Sequence, residues 1–102
     1  MWPTISGITV ERRDLTRDPL PPEALSIYAG AIFDPPLAGA LPQAAALAAS
    51  GLATVVAVSC NPATFARDAA RLIGGGFRLE RVVPVDQFMW TPHLELVALF
   101  RR

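Results

Sequence analysis

The sequence contains no lysine, a single cysteine and a single histidine. One cysteine excludes an internal disulfide, and it excludes a cysteine-rich zinc or iron–sulfur site built from this chain alone. The nine basic residues are all arginine, and nine acidic residues balance them, so the net charge at pH 7 is zero. This balance leaves no overall basic footprint for nucleic acid. Because the sequence has only one cysteine and one histidine, we expect no resident metal centre.

The N-terminus lacks the basic start and the apolar run of a secretory signal peptide, so we expect a cytoplasmic protein. Charged residues are also missing from residues 35–66, a stretch long enough to cross a membrane. Prolines, a Ser-Gly pair and an Asn-Pro pair interrupt that stretch, which favours a loop, an alanine-rich helix, a turn and a buried strand. The sequence therefore predicts no membrane span.

Apolar runs separated by turn residues predict an α/β fold in a single domain, since 102 residues can bury only a modest core. Strands are predicted at 8–11, 28–33, 54–59, 77–85 and 94–100, and helices at 23–26, 41–49 and 62–73. Three glycines, at 74–76, predict a left-handed end to the last helix. Alternating strands and helices imply a parallel sheet with right-handed crossovers. The last two strands have no helix between them and are expected to form an antiparallel pair at the edge.

The cysteine, Cys60, lies between an apolar, β-branched run and a helix with proline in its first turn. A helix N-terminus offers unpaired N–H groups and partial positive charge, which favour the thiolate form of a cysteine. Asp34 ends the preceding strand, so both residues are expected where open α/β sheets bind ligands. If the final strand runs antiparallel, Glu95 begins it at the same edge. A thiol nucleophile beside a carboxylate that moves a proton is a catalytic pair.

Residue patterns alone leave other interpretations open. A cysteine at a strand end is often a buried small hydrophobe, and residues 34–36 also fit a plain turn. Glu95 fits a solvated position at the sheet edge, and Arg67 and Asp68 fit the surface of a helix. His93 is compatible with a hydrolytic Cys–His pair, although a loop hydrogen-bonding role is the more ordinary one.

Residues 34–36 (Asp-Pro-Pro), 59–68 (Ser-Cys-Asn-Pro-Ala-Thr-Phe-Ala-Arg-Asp) and 91–95 (Thr-Pro-His-Leu-Glu) together resemble the C-terminal signature motifs of the RNA uracil-C5 methyltransferases. The resemblance runs from about residue 10 to residue 102. These enzymes use S-adenosylmethionine to make 5-methyluridine. The resemblance implies that Cys60 is the nucleophile and Glu95 the proton acceptor. It also implies that Asp34 contacts the methyl donor, and a weaker match places Asp14, at the polar end of the first strand, near the donor's adenosine.

The implied chemistry suits these residue types. Carbon 5 of uracil is a poor nucleophile, and addition of the Cys60 thiolate to carbon 6 raises the electron density at carbon 5. After methylation a carboxylate removes the carbon 5 proton and the thiol leaves. The base must be swung out of any stack, and Phe88 or Trp90 are candidates to line its pocket.

Two features depart from the family pattern. Leu37 stands where the family usually has an arginine, so a charged contact is lost. No glycine-rich loop follows a first strand. The resemblance therefore implies that residues 1–102 are a partial methyltransferase catalytic domain, the C-terminal half of a Rossmann-like sheet, with the upstream donor-binding half absent. We expect the isolated chain to be inactive and to self-associate through an exposed sheet edge.

The expected partner is RNA, with ribosomal RNA favoured over transfer RNA on overall resemblance. Two other functions stay open. An amino-group methyltransferase also uses an Asp-Pro-Pro motif, but with an aromatic residue after it, and it needs neither Cys60 nor Glu95. The other is a non-catalytic α/β fragment that binds a partner or only folds.

Overall fold

The computed structural model describes residues 4–5, 7–36, 38–85 and 95–102. Its elements in chain order are β1 (Thr4–Ile5), β2 (Ile8–Thr9), α1 (Pro22–Leu25), β3 (Gly30–Phe33), α2 (Leu41–Ala49), β4 (Thr54–Ser59), α3 (Pro62–Gly74), β5 (Arg78–Val85) and β6 (Glu95–Arg101). The predicted order of strands and helices is confirmed. The first predicted strand is shorter than expected, and it pairs with β1 in a separate antiparallel hairpin.

The main sheet has the strand order β3-β4-β6-β5. β3 and β4 are parallel, and β6 is antiparallel to both β4 and β5. The predicted antiparallel pair is thus confirmed, but only β5 lies at the edge. The residues from Leu96 to Phe100 are all apolar, which suits an interior strand. β5 instead carries charged residues, a bulge at Glu80 and a proline at Pro84, all of which edge strands tolerate.

One face of the sheet packs against α2 and α3. Val55 and Ala57 of β4 and Ala98 and Phe100 of β6 point to this side and are at most 1% exposed. The buried core joins them to residues of the two helices and the following turns: Ala44, Leu47, Leu52, Ala69, Leu72 and Phe77. No described strand residue that points the other way is buried. Ile32, on that opposite face, is 75% exposed.

α3 ends at the predicted glycines in a Schellman arrangement. The Gly76 N–H donates to the Ile73 carbonyl at 3.0 Å, and the Phe77 N–H donates to the Leu72 carbonyl at 3.1 Å. Gly76 has φ +104°, so the predicted left-handed conformation is confirmed at this residue. Leu72 and Phe77 are both buried, which supplies the apolar contact that accompanies this motif.

Arg102 ties the C-terminal ends of α2 and α3 together. Its guanidinium lies 4.0 Å from the centre of the Phe77 ring. It donates hydrogen bonds to five backbone carbonyls, those of Leu47, Ala48, Ser50, Leu52 and Gly75. Helix ends leave such carbonyls without intrahelical partners, and a cation there also complements the helix dipole.

None of the helices in the described ranges is both long and apolar enough to cross a membrane.

Candidate functional site

The parallel strands β3 and β4 bring two sequence-predicted residues to one edge of the sheet. Phe33 pairs with Ala57, so both strands end at this edge. Asp34 follows β3 and is exposed, while Cys60 follows β4 and is half-buried with a free thiol. The expected placement of the two residues is therefore confirmed. Loops at the carboxyl ends of parallel strands are the usual ligand-binding positions of open α/β sheets.

The backbone at Cys60 is fixed on both sides by hydrogen bonds. The buried Ser59 hydroxyl donates to the Asn61 carbonyl and accepts from the Asn61 N–H, both at 3.1 Å. Asn61 is the N-cap of α3, and its side-chain oxygen accepts from the Ala63 N–H at 3.1 Å. The Thr64 hydroxyl also donates to the Asn61 carbonyl, at 3.2 Å. The thiol is thus presented from a defined bend immediately before a capped helix.

Glu95 begins β6 at the same edge. Ser59 pairs with Leu96, so Glu95 lies one position further, beside the point where the chain reaches Cys60. On its other side Glu95 pairs with Val85 of β5. Glu95 is half-buried, not fully solvated. The expectation that an antiparallel last strand brings a carboxylate to the cysteine edge is confirmed.

A cavity of about 310 Å³ lies beside Asp34. Asp34, Pro35 and Pro36 form part of its wall, and Thr16 is a further polar residue of the lining. The remaining lining residues are Leu15, Ile32, Phe33, Gly39, Ala40 and Gln43. The volume is at the lower end of the range for small-molecule sites, and its few polar groups suit an oriented ligand.

Asp14 does not end a strand, which corrects the sequence expectation. β2 ends at Thr9, and Asp14 instead begins a turn in which its carboxylate accepts from the Thr16 N–H at 3.1 Å. This Asx-type turn is favoured because aspartate bonds readily to the backbone two residues on. Asp14 is exposed and directly precedes Leu15 and Thr16 of the cavity wall. It therefore lies at the rim of the cavity.

The side chains of Gln43 and Arg13 hold the Asp14 turn in place. The Gln43 side chain of α2 donates a hydrogen bond to the Leu15 carbonyl. Arg13 pairs with Glu11 at 2.7 Å and with Asp18 at 3.3 Å. The hydrogen bond that Arg13 donates to the Glu11 carboxylate raises the pKa of Arg13 above its ordinary value, so the guanidinium stays charged. Sequence reasoning missed Gln43, because a glutamine in an alanine-rich helix gives no signal of its distant partner.

Asp68 is 3% exposed, so its interpretation as a helix-surface residue is wrong. It accepts from the Ala40 N–H at 2.6 Å and from the Arg67 guanidinium at 3.2 Å. One signal was present in the sequence. Asp68 follows Phe65 by three residues and precedes Leu72 by four, so it lies on the apolar side of α3.

Several residues discussed from sequence lie outside the described residues: Leu37, Phe88, Trp90 and residues 91–94, which include His93. Within the described ranges, no group of three or more histidine, cysteine, aspartate or glutamate side chains is arranged to hold a metal ion. The described part of the site therefore consists of one thiol, the carboxylates around it and a cavity.

Comparison with known proteins places the chain in a family. Residues 20–102 match the family described as tRNA (uracil-5-)-methyltransferase. An uncharacterized RNA methyltransferase of Brucella suis biovar 1 (strain 1330) is 54% identical over 98 residues, which cover 96% of this chain and 24% of that protein. The 23S rRNA (uracil(1939)-C(5))-methyltransferase RlmD of Chromohalobacter salexigens is 49% identical over 71 residues, 70% of this chain and 15% of that protein.

A solved structure is also similar. The chain matches the Pyrococcus abyssi tRNA (uracil-54, C5)-methyltransferase, in complex with S-adenosyl-L-homocysteine, with a TM-score of 0.63 and 42% identity. The match covers 72% of this chain and 18% of that one. The mixed α/β architecture with its four-stranded sheet is thus similar to that of a methyltransferase. The chain spans about a quarter of the length of the Brucella relative, at 24%. It belongs to the tRNA (uracil-5-)-methyltransferase family, the uracil-C5 RNA methyltransferases.

Proposed function

We propose that this chain is the C-terminal catalytic part of an RNA methyltransferase that transfers a methyl group from S-adenosylmethionine to carbon 5 of a uridine through a covalent cysteine adduct. The observation that carries the proposal is the convergence of Cys60 and Glu95 at one sheet edge, fixed by the pairing of β4 with β6. Membership of the family supports it.

Each catalytic residue has a defined task in this proposal. The Cys60 thiolate forms a bond to carbon 6 of uracil, and the electron pair of the 5,6 double bond moves to give an enolate with nucleophilic carbon 5. After carbon 5 has been methylated, Glu95 takes its proton. The pair of electrons left behind restores the double bond and expels the thiolate. Two moderate steps thus replace one difficult step.

The cavity beside Asp34 is the proposed donor site. Bound S-adenosylmethionine supplies an electrophilic methyl group there. The Asp34 carboxylate at the wall and the Asp14 carboxylate at the rim suit a ligand that carries hydroxyl groups and positive charge. The Pyrococcus abyssi relative, solved with S-adenosyl-L-homocysteine, supports this choice of donor.

We also propose that the chain is a partial catalytic domain, the C-terminal half of a Rossmann-like sheet, whose donor-binding half lies in another part of the protein. The share of the Brucella relative that it covers, 24%, supports this division. β3 forms one edge of the main sheet, and the described residues include no further strand beside it. We propose that the isolated chain binds the donor weakly and pairs with a second copy along this edge. The complete enzyme is proposed to act in the cytoplasm.

Ribosomal RNA is the proposed substrate. The Chromohalobacter relative is named for 23S rRNA and the Pyrococcus relative for tRNA, and identity to the first is higher, 49% against 42%. An RNA fragment from each class, offered to the same enzyme, distinguishes the two.

The test uses a chimera in which this chain replaces the matching segment of the Brucella suis relative. RNA containing 5-fluorouridine retains the adduct, because fluorine at carbon 5 cannot leave as a proton does. The unmodified chimera should yield a protein–RNA species on denaturing gels when donor is present, and Cys60→Ala should yield none. Arg71→Ala, an exposed change on α3, is the control and should behave as the unmodified chimera does.

Glu95→Gln separates the two halves of the mechanism. Glutamine keeps the shape of the side chain but accepts no proton, so an adduct should accumulate on ordinary uridine RNA while turnover stops. Turnover at the normal rate would rule Glu95 out as the base. Methyl transfer by Cys60→Ala within tenfold of the unmodified chimera would overturn the covalent mechanism, and a methyl group found on an exocyclic nitrogen would indicate an amino-group methyltransferase instead.

A further inference from the structure

The segment 38–40 lies directly against α3, and Gly39 makes this approach possible. Gly39 has φ +83°, a conformation that other residues rarely adopt. A Cβ atom at this position would lie 2.6 Å from Arg67 Nη2, 2.9 Å from Thr64 Cβ and 3.0 Å from Asp68 Oδ2. Both the backbone conformation and the available space therefore require glycine here.

Arg67 and Asp68 hold this segment on both sides of the glycine. The Arg67 Nη2 donates to the Ala38 carbonyl at 2.9 Å, and the Ala40 N–H donates to Asp68 Oδ2 at 2.6 Å. Arg67 also donates to Asp68 Oδ1 from Nε and Nη2, each at 3.2 Å. A carboxylate that is 3% exposed needs such partners, because burial of an unpaired charge is costly. We call this arrangement the Arg67–Asp68 clasp.

The clasp also completes the N-terminus of α2. Ala40 is the N-cap residue of α2, and it has no side chain that can cap the helix. In many helices a side chain of the same helix accepts from the N-cap N–H. Here Asp68 of α3 supplies that acceptor, so the start of α2 depends on a residue 28 positions later.

The clasped segment is part of the proposed donor-site wall. The Gly39 N–H donates to the Pro36 carbonyl at 2.9 Å, which ties the segment to the Asp-Pro-Pro turn. Asp34, Pro36, Gly39 and Ala40 line the same cavity of about 310 Å³. Meanwhile α3 begins two residues after Cys60. A single capped helix thus carries the cysteine bend at its start and the clasp near its middle.

We infer that Arg67 and Asp68 are positioning residues that hold the donor-side loop, described at residues 34–36 and 38–40, at a fixed place relative to Cys60, and that they thereby set the affinity for the methyl donor. This inference rests on the proposed function. The two residues act through the loop and contact no reacting atom. A loop held by fewer bonds samples more conformations, and part of the donor's binding free energy is then spent on ordering it.

The experiment measures S-adenosylmethionine binding by calorimetry in the chimera described above. Arg67→Ala should raise the donor Kd about tenfold, which is the size of effect known for residues that hold the ligands of a metal site in place. Arg67→Lys keeps the charge and should recover part of that loss. Arg71→Ala, one turn further along α3, should leave the Kd unchanged. RNA affinity, measured separately, should change less than twofold in all three, since the clasp lies on the donor side.

Gly39→Ala perturbs the same contact from the loop side. Its Cβ pushes the segment away from Arg67, so the donor Kd should rise as in Arg67→Ala. Gly74→Ala is the matched control, because a Cβ there meets nothing within 4 Å. Thermal unfolding of each variant shows whether it is folded. If Arg67→Ala is unfolded, Arg67→Lys and Gly39→Ala decide the question.

The outcomes separate this inference from the proposed function. An unmodified chimera that binds no donor overturns the proposed function, and the positioning role with it. An unmodified chimera that binds donor, together with folded Arg67→Lys and Gly39→Ala variants of unchanged Kd, overturns the positioning role alone. A rise in Kd that Arg71→Ala and Gly74→Ala share equally also overturns it, because the effect is then not specific to the clasp.

Discussion

The two faces of the four-stranded sheet differ sharply although the same strands build both. The face towards α2 and α3 holds Val55 and Phe100, each 0% exposed. On the other face Ile32 is 75% exposed and Val83 is 37% exposed. β4 and the interior part of β6 are largely apolar on both faces, which is the near-continuous hydrophobic pattern of strands that are covered on both sides, whereas β5 carries charged residues. This pattern predicts that the open face is covered by a segment outside the described residues.

The largest difference in stability effect is expected between a core residue of the helix-covered face and an exposed residue of the open face. Phe100→Ala removes a ring that contacts Phe65, with the ring centres 6.3 Å apart. It should lower the free energy of unfolding by about 3–5 kcal/mol, the range for a buried phenylalanine. Ile32→Ala on the open face should change it by less than about 0.5 kcal/mol. Urea unfolding followed by circular dichroism measures both, and equal effects would remove the distinction between the faces.

A chemically matched pair sharpens the same comparison. Val55→Ala and Val83→Ala delete the same two methyl groups, one from each face. The first should cost about 2 kcal/mol, because each buried methylene is worth about 0.8 kcal/mol and a cavity is left behind. The second should cost less than about 1 kcal/mol, since its side chain is already partly in water. In the chimera, a segment that covers the open face should bury Val83 and so raise the cost of Val83→Ala towards that of Val55→Ala. If the difference between the two costs is the same in the chimera, the open face is not covered there.

Two neighbouring arginines extend the comparison to polar groups. Arg102 lies on the helix side and bonds to the helix-end carbonyls, whereas Arg101 pairs with Glu80 at 3.6 Å and its side chain is 56% exposed. Arg102→Ala should cost about 1–2 kcal/mol from lost charged hydrogen bonds. Each kcal/mol of this loss should lower Tm by about 4–8 °C. Arg101→Ala should cost less than about 0.5 kcal/mol, as exposed ion pairs do.

An equally small effect on stability is expected for Ile32→Lys. A charge at this exposed position on edge strand β3 should leave the free energy of unfolding within about 0.5 kcal/mol of the parent value. It should nevertheless reduce self-association, because lysine on an edge strand opposes pairing with a second copy. Light scattering during size-exclusion chromatography gives the molecular mass of each. A parent chain that is monomeric at high concentration would refute the self-association.

Local sequence signals were sufficient for most of the fold. The proline at 62 predicted the start of α3, and the glycines at 74–76 predicted its end, because these residues act within one turn of the chain. The placement of Asp34, Cys60 and Glu95 at one edge also followed from strand order and direction. The interior position of β6 did not, since no local pattern states which neighbour a strand will choose.

The clasp shows where sequence reasoning fails. Asp68 looks like a polar helix residue when it is considered with its neighbours in sequence. Its carboxylate is buried because it accepts a hydrogen bond from the N–H of Ala40, 28 residues earlier. Nothing in the sequence near either residue indicates that they are partners. Likewise Gln43 and Leu15 are 28 residues apart. Contacts of this kind depend on how distant segments of the chain pack, and packing is a property of the whole fold.

The interior position of β6 also governs the order in which the sheet is completed. β4 and β5 share no edge, and β6 joins them, although it is synthesised after both. Until residues 95–101 have been made, one edge of β4 and both edges of β5 have unpaired N–H and C=O groups in the described part of the chain. Pairing Thr54 with Arg101 then closes a long loop, which is slow because its entropy is lost before the contact forms. The nascent chain is therefore most prone to aggregate just before its last strand is added, and shielding of β4 and β5 during translation should raise the yield of folded protein.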